Sequence, residues 1–247
     1  MASSRLVYGQ RPSKEVLRAR PGDVQAVMLA QGRRPDADLG RLISSLGISP
    51  VIQEARELDS LAPGENHQGV VLVVGEYRYL TLEELVSRAP RDRPIVALDQ
   101  VQDPHNLGAI LRSATVLGAA GAILPERRAS PVTAAVVRTS AGATERLGVA
   151  RVVNLGRALE ELKTEGYWLF GAVGEGGAPP EELELTGSCV LVVGSEGGGL
   201  RPSIQKACDH LVTIPMEDPL SLNVSVAAGI LLGEAARQRR AARKPKS

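Results

Sequence analysis

Apolar residues in the second part of this chain come in short unbroken runs instead of alternating with polar ones. Runs at residues 95–98, 122–124, 151–153, 168–173, 189–193 and 211–214 predict strands, and helical periods at 107–117, 131–140, 156–164, 202–207 and 222–240 predict helices between them. A strand that is apolar on both sides has both faces covered, so this β/α series predicts a parallel sheet between helices. The first part alternates shorter helical and strand patterns at 12–20, 24–29, 36–46, 50–52 and 70–74, which predict a small α/β unit. Residues 76–92, charged and weakly helical, break the rhythm and predict a linker. The chain therefore divides into a small domain over 1–75 and a larger one over 93–247.

The helix expected at 107–117 can be read by its angles. Leu107, Ile110, Leu111, Ala114 and Leu117 make one apolar stripe, Gly118 is placed to end the helix and Asn106 to cap its start. Arg112 lies about 150° from the stripe. It is either a solvated surface arginine or one that meets a phosphate or a partner chain.

Composition narrows the class without naming an activity. Hydrophobic residues make up 43% and charged residues 23%, the balance of a soluble globular protein. Aromatics at 2% argue against an RNA reader that stacks bases on paired exposed rings. Cys189 and Cys208 lack metal-ligand spacing and predict reduced thiols in a cytoplasmic protein. The three histidines, His67, His105 and His210, suggest no metal site. No apolar run has membrane-spanning length, and the N-terminus lacks a signal-peptide core. Net charge is only +1, yet seven basic residues lie between Arg5 and Arg34 against Glu15 and Asp23, and the tail carries Arg237, Arg239, Arg240, Arg243, Lys244 and Lys246. Each cluster is either a solvated face or disordered end, or a binding surface for nucleic acid.

Two joins between strand and helix hold the candidate chemistry. After the run at 189–193, the sequence GSEGGG lets backbone approach a ligand, although it is neither the dinucleotide fingerprint nor the phosphate loop. After the run at 211–214, Ser221, Asn223 and Ser225 open the last helix, a place where open α/β sheets hold ligands or where polar side chains simply cap a helix.

Three separated motifs together resemble the SpoU/TrmH family of RNA ribose 2′-O-methyltransferases, in the SPOUT class: LDQVQDPHNLGAILRSATVLG at 98–118, VVGSEGGGL at 192–200 and TIPMEDPLSLNVSVAAGI at 213–230. At the front, LVYGQRPSKEVLRA and HQGVVLVV are similar to the ribosomal-protein-like RNA-binding domain of rRNA-directed members. With AGATERLGVARVVNLGRAL, the nearest subgroup is the 23S rRNA guanosine-2′-O-methyltransferases; a tRNA ribose methyltransferase or a non-catalytic RNA-binding homologue is the alternative. Gly198 departs from the pattern, since relatives often carry a basic residue there.

The resemblance implies S-adenosylmethionine held in a trefoil knot, RNA as substrate and a homodimer. It implies that Val193, Gly194, Glu196, Gly197, Gly199, Ile214, Met216, Ser221, Leu222 and Asn223 surround the cofactor. Catalysis is assigned by the same resemblance to Arg112, Asn106, Glu196, Asn223 and Ser221. Arginine is a poor base because it stays protonated, so Arg112 is either a base activated by the substrate's phosphate or a phosphate clamp.

Overall fold

Val, Leu and Ile on one face of each helix and in continuous strands build the core of each unit. The computed structural model describes residues 4–64, 66–218 and 220–243. These form two compact units, one taking in the chain up to Arg78 together with Val132–Arg146, the other Tyr79–Pro131 with the chain from Leu147 onward.

The first unit starts with β1 (Ser4–Tyr8), α1 (Gln10–Ala19), β2 (Val24–Ala30), α2 (Ala37–Ser45), β3 (Val51–Gln53), α3 (Ala55–Leu61) and β4 (Val70–Gly75). The strands make one sheet in the order β1-β4-β2-β3, with β4 antiparallel to both β1 and β2 and β3 parallel to β2. α1 starts after Gly9 without a side-chain cap, whereas α2 and α3 are each capped. The Asp36 side chain caps α2 by accepting the Leu39 N–H at 2.9 Å, and Glu54 with Glu57 forms a capping box on α3. Leu17, Leu39, Leu58 and Leu72 are fully buried.

The second unit holds α4 (Leu82–Arg88), β5 (Ile95–Leu98), α5 (Pro104–Leu117) and β6 (Gly121–Pro125). Next in the chain is α6 (Ala134–Thr139), which belongs to the first unit. The second unit resumes with β7 (Val149–Val152), α7 (Leu155–Thr164), β8 (Trp168–Ala172), β9 (Cys189–Val193), α8 (Pro202–Ala207), β10 (His210–Val212) and α9 (Val224–Ala242). Its six strands are all parallel, ordered β10-β8-β9-β5-β6-β7. Every residue of β5, β6 and β9 is buried, as their unbroken apolar runs require. The strand order runs outward from β5 to β7 and from β9 to β10, so β5 and β9 meet where the winding reverses, the place where such sheets bind ligands.

Three expectations are corrected. Asn106 does not cap α5: Asp103 does, accepting the His105 N–H at 3.0 Å, because Pro104 without an N–H fills the first helical position and moves the start earlier. Asn106 is instead a buried residue inside the first turn. The last strand stops at Val212, and Thr213 and Ile214 are loop. The stretch expected to be a weakly helical linker contains α4, opened by a Thr81–Glu84 capping box and anchored by fully buried Leu85.

The returning segment is bound firmly to the first unit. The Glu145 carboxylate is fully buried and pairs with Arg5 at 2.9 Å and with Arg20. Both guanidinium groups lie over the Tyr77 ring at 5.3 Å, and the Tyr77 hydroxyl donates to the Thr144 carbonyl at 2.9 Å. A Cβ at Gly142, whose φ is 81°, would stand 2.7 Å from Glu15 Cβ, so only glycine fits this turn.

Candidate active site

β9 ends at Val193, and the five residues that follow close on themselves. Ser195 and Gly199 exchange backbone hydrogen bonds at 3.0 Å in each direction. Gly194 lies under this loop so closely that a Cβ would fall 2.1 Å from the Gly199 carbonyl carbon, and Gly197 and Gly199 take positive φ of 91° and 59°. Gly194 is thus a steric requirement of the loop and Gly197 and Gly199 a backbone one, whereas Gly198 is under neither constraint.

Its exit is held by a buried carboxylate. Asp99, which follows β5, is fully buried and accepts from the Arg201 backbone N–H at 3.0 Å and from Arg201 Nε at 2.8 Å, while its own N–H donates to the Val193 carbonyl at 2.8 Å. Sequence reasoning missed this pair. The available signals were an acid directly after an apolar strand and an arginine directly after a glycine loop, but nothing in their spacing joins residues 102 positions apart.

The start of α9 meets the same loop. Asn223 caps the helix, its Oδ1 accepting from the Ser225 N–H at 2.8 Å and from Ser225 Oγ at 2.6 Å. Its Nδ2 donates to Asn106 Oδ1 at 3.1 Å and to Glu196 Oε1. Both halves of the amide are therefore engaged, which fixes its orientation. Asn106, Glu196 and Asn223, from α5, the β9 loop and α9, are one hydrogen-bonded cluster.

Two cavities adjoin this cluster. The larger, about 560 Å³, is lined by all ten residues expected around a cofactor: Val193, Gly194, Glu196, Gly197, Gly199, Ile214, Met216, Ser221, Leu222 and Asn223. Ala172, Val173 and Gly174 at the end of β8 add a wall that no motif suggested. The smaller, about 370 Å³, is lined by Gln100, Val101, Gln102, Asp103 and Asn106, and shares Ser195, Glu196, Gly197 and Val224 with the first. Of the five expected catalytic residues, four lie on these walls. Arg112 does not: it is exposed on α5, lines neither cavity and has no hydrogen bond or ion pair among the described residues.

Burial pushes the Cys189 thiol up to about 12 and the Cys208 thiol up to about 11, so neither is a thiolate nucleophile near neutrality. Among the described residues, no group of His, Cys, Asp and Glu could hold a metal ion.

Residues 93–233 match the SpoU rRNA Methylase family, and residues 6–80 match the RNA 2′-O ribose methyltransferase substrate-binding family. The chain belongs to the SpoU rRNA methylase family. The 23S rRNA (guanosine-2′-O-)-methyltransferase RlmB of Vibrio cholerae is 39% identical over 246 residues, covering 98% of this chain and 100% of its own. An uncharacterized tRNA/rRNA methyltransferase of Mycobacterium sp. (strain KMS) is 42% identical over 242 residues, 95% of this chain and 77% of its own. Among solved structures, the SpoU methyltransferase AviRb from Streptomyces viridochromogenes, in complex with the cofactor AdoMet, aligns with a TM-score of 0.82 at 26% identity, covering 96% of this chain and 91% of that one. The SpoU chain is thus an RNA methyltransferase, and its cofactor is S-adenosylmethionine.

The larger cavity fits that cofactor. It combines loop backbone N–H and C=O groups for the ligand's polar adenosyl and amino-acid ends, apolar side chains for the faces of its adenine, and one carboxylate, Glu196, to match its positive sulfonium. The missing Cβ at Gly194 keeps the floor at backbone height.

Proposed function

We propose that this SpoU enzyme methylates the 2′-hydroxyl of a guanosine in 23S rRNA. The observation that carries the reading is the wall of Ser195, Glu196 and Gly197 shared by two cavities, which supports a methyl donor in one and the ribose that accepts the methyl group in the other. The RlmB relative, aligned along nearly the whole chain, supports guanosine of 23S rRNA over a tRNA ribose.

Bound S-adenosylmethionine supplies a methyl group already activated by its sulfonium. The chain's own task is alignment and charge. Val193, Gly194, Gly197, Gly199, Ile214, Met216, Ser221 and Leu222 hold the cofactor; Asn106, Glu196 and Asn223 orient the acceptor ribose through their linked amides and carboxylate. Arginine remains protonated in proteins, so exposed Arg112 serves as a clamp on the RNA phosphate. A trefoil knot at the β9 and β10–α9 loops, a cytoplasmic location and a homodimer complete the proposal. Supporting the dimer, Val116 on α5 is 77% exposed, and Val226 and Ile230, one turn apart on α9, are 48% and 39% exposed. A second copy covers these side chains, and Arg112, one turn from Val116, then stands at the interface.

The test is methyl transfer from labelled S-adenosylmethionine to 23S rRNA fragments, followed by alkaline hydrolysis. A 2′-O-methyl group blocks cleavage of the adjacent bond and leaves labelled dinucleotides; label found wholly in mononucleotides places the methyl group on a base. Arg112→Ala is expected to abolish transfer while calorimetry shows unchanged cofactor affinity.

A further inference from the structure

The loop after β6 lies outside the three family motifs, yet it is tied to the smaller cavity. At its start, the Glu126 N–H donates to the Val152 carbonyl at 2.8 Å, and Arg151 Nη2 donates to the Glu126 carbonyl at 3.2 Å. At its end, the N–H of buried Ser130 donates at 2.9 Å to the carbonyl of Val101, a buried residue of the cavity wall. Between these anchors stand Arg127 and Arg128, both exposed and without a hydrogen bond or ion pair among the described residues.

The backbone here is also unusual. Arg128 has φ 59° and Gln100, on the cavity wall beside Val101, has φ 63°, two of four non-glycine residues with positive φ among those described. Such conformations persist where the surroundings impose them, and they gather at ligand sites. The anchored loop therefore carries two adjacent, unneutralised guanidinium groups within three residues of Ser130, the residue that ties it to the cavity wall. The volume of that cavity, about 370 Å³, lies within the range of small-ligand clefts, about 300–1,000 Å³.

Resting on the methyl-transfer reading above, we propose that Arg127 and Arg128 form a phosphate clamp that grips the RNA phosphodiester beside the nucleoside entering the smaller cavity. Guanidinium groups match phosphate oxygens two at a time, which gives orientation as well as attraction. Gln100 and Gln102, whose side chains have no partner among the described residues, give the same rim neutral donors and acceptors.

The experiment compares wild type, R127A/R128A, R127K/R128K and R128G in the full chain, measuring affinity for a 23S rRNA fragment across a salt series and KM for that RNA. For R127A/R128A, the slope of log affinity against log salt becomes shallower by about 1.4–1.8, and KM rises roughly tenfold, as expected for two lost phosphate contacts. R127K/R128K keeps the charge and most of the slope. R128G removes one charge while relaxing the left-handed backbone, so its slope falls by about half as much even if the alanine pair folds poorly. A wild-type slope and KM in both R127A/R128A and R128G overturn the clamp while leaving RNA methylation intact. A wild-type protein that moves no methyl group onto RNA in the same assay removes the reading on which the clamp rests, and the clamp with it.

Discussion

The two units differ in where along the sequence their free positive charge lies. In the first, four of the seven basic residues between Arg5 and Arg34 are paired within the unit: Arg5 and Arg20 with Glu145, Lys14 with Asp36, and Arg18 with Glu15 and Asp38. Arg11, Arg33 and Arg34 are exposed and unpaired among the described residues. In the second unit, Arg112, Arg127 and Arg128 come from neither basic cluster and are all unpaired among the described residues. Much of the basic tail is engaged as well: Arg237 pairs with Glu234, Arg239 donates to the Leu117 carbonyl and Arg243 pairs with Asp92; Lys244 and Lys246 lie outside the described residues. Charge density along a sequence is therefore a poor guide to charge that a phosphate can reach.

The largest effect tests the paired side of the contrast. Glu145→Ala leaves two largely buried guanidinium groups without their anion, and losing one partner of a buried pair costs about 3–5 kcal/mol. Calorimetric unfolding is expected to show an early transition of the first unit, with RNA binding lost and cofactor binding by the second unit retained. A single unshifted transition would show that the network contributes no stability.

Next in size is the glycine loop after β9. Gly194→Ala drives a methyl group into the Gly199 carbonyl, and overpacking of this kind costs about 1–3 kcal/mol. Cofactor affinity is expected to fall by about 5- to 150-fold on that basis, while the salt slope of RNA binding stays at the wild-type value. Asp99→Asn follows. Hydrogen bonds to charged groups contribute about 1.5–3 kcal/mol, and asparagine retains one acceptor for the Arg201 N–H but faces the guanidinium without charge. Because Asp99 acts through the loop, KM for S-adenosylmethionine is expected to rise several-fold with kcat little changed. An equal fall in kcat and kcat/KM would place Asp99 nearer the chemistry.

These two sites also mark what was legible. Glycines and the Asn223 cap lie within short motifs whose physics is local, so the ten residues that the family resemblance expects around a cofactor all fall on the wall of one cavity. The parallel sheet was equally visible, because β5, β6 and β9 are buried on both faces and show it as unbroken apolar runs. The return of residues 132–146 to the first unit was hidden, since Glu145 finds Arg5 across 140 positions and no periodicity reports that meeting. Asp99 and Arg201 were hidden in the same way. Asn106 was misplaced for a local reason, the preference of proline for the first helical position.

The smallest expected effect separates paired from free cations inside the first unit. The Asp36 carboxyl is held below its ordinary 3.8, first by the Leu39 N–H it caps and then by Lys14. Its folded value lies below the unfolded one, so the stabilisation is present above pH 3.8 and is lost only as pH falls through the lowered value. At neutral pH Asp36 is therefore ionised with Lys14 2.9 Å away, so removing Lys14 takes away less charge for a phosphate to meet than removing a free arginine does. Lys14→Ala is expected to leave the salt slope within about 0.3 of wild type, whereas R33A/R34A makes it shallower by about 1.4–1.8 if both arginines meet phosphate. Equal changes in the two variants would mean that intrachain pairing does not decide which cations bind RNA, and the contrast between the units would lose its physical basis.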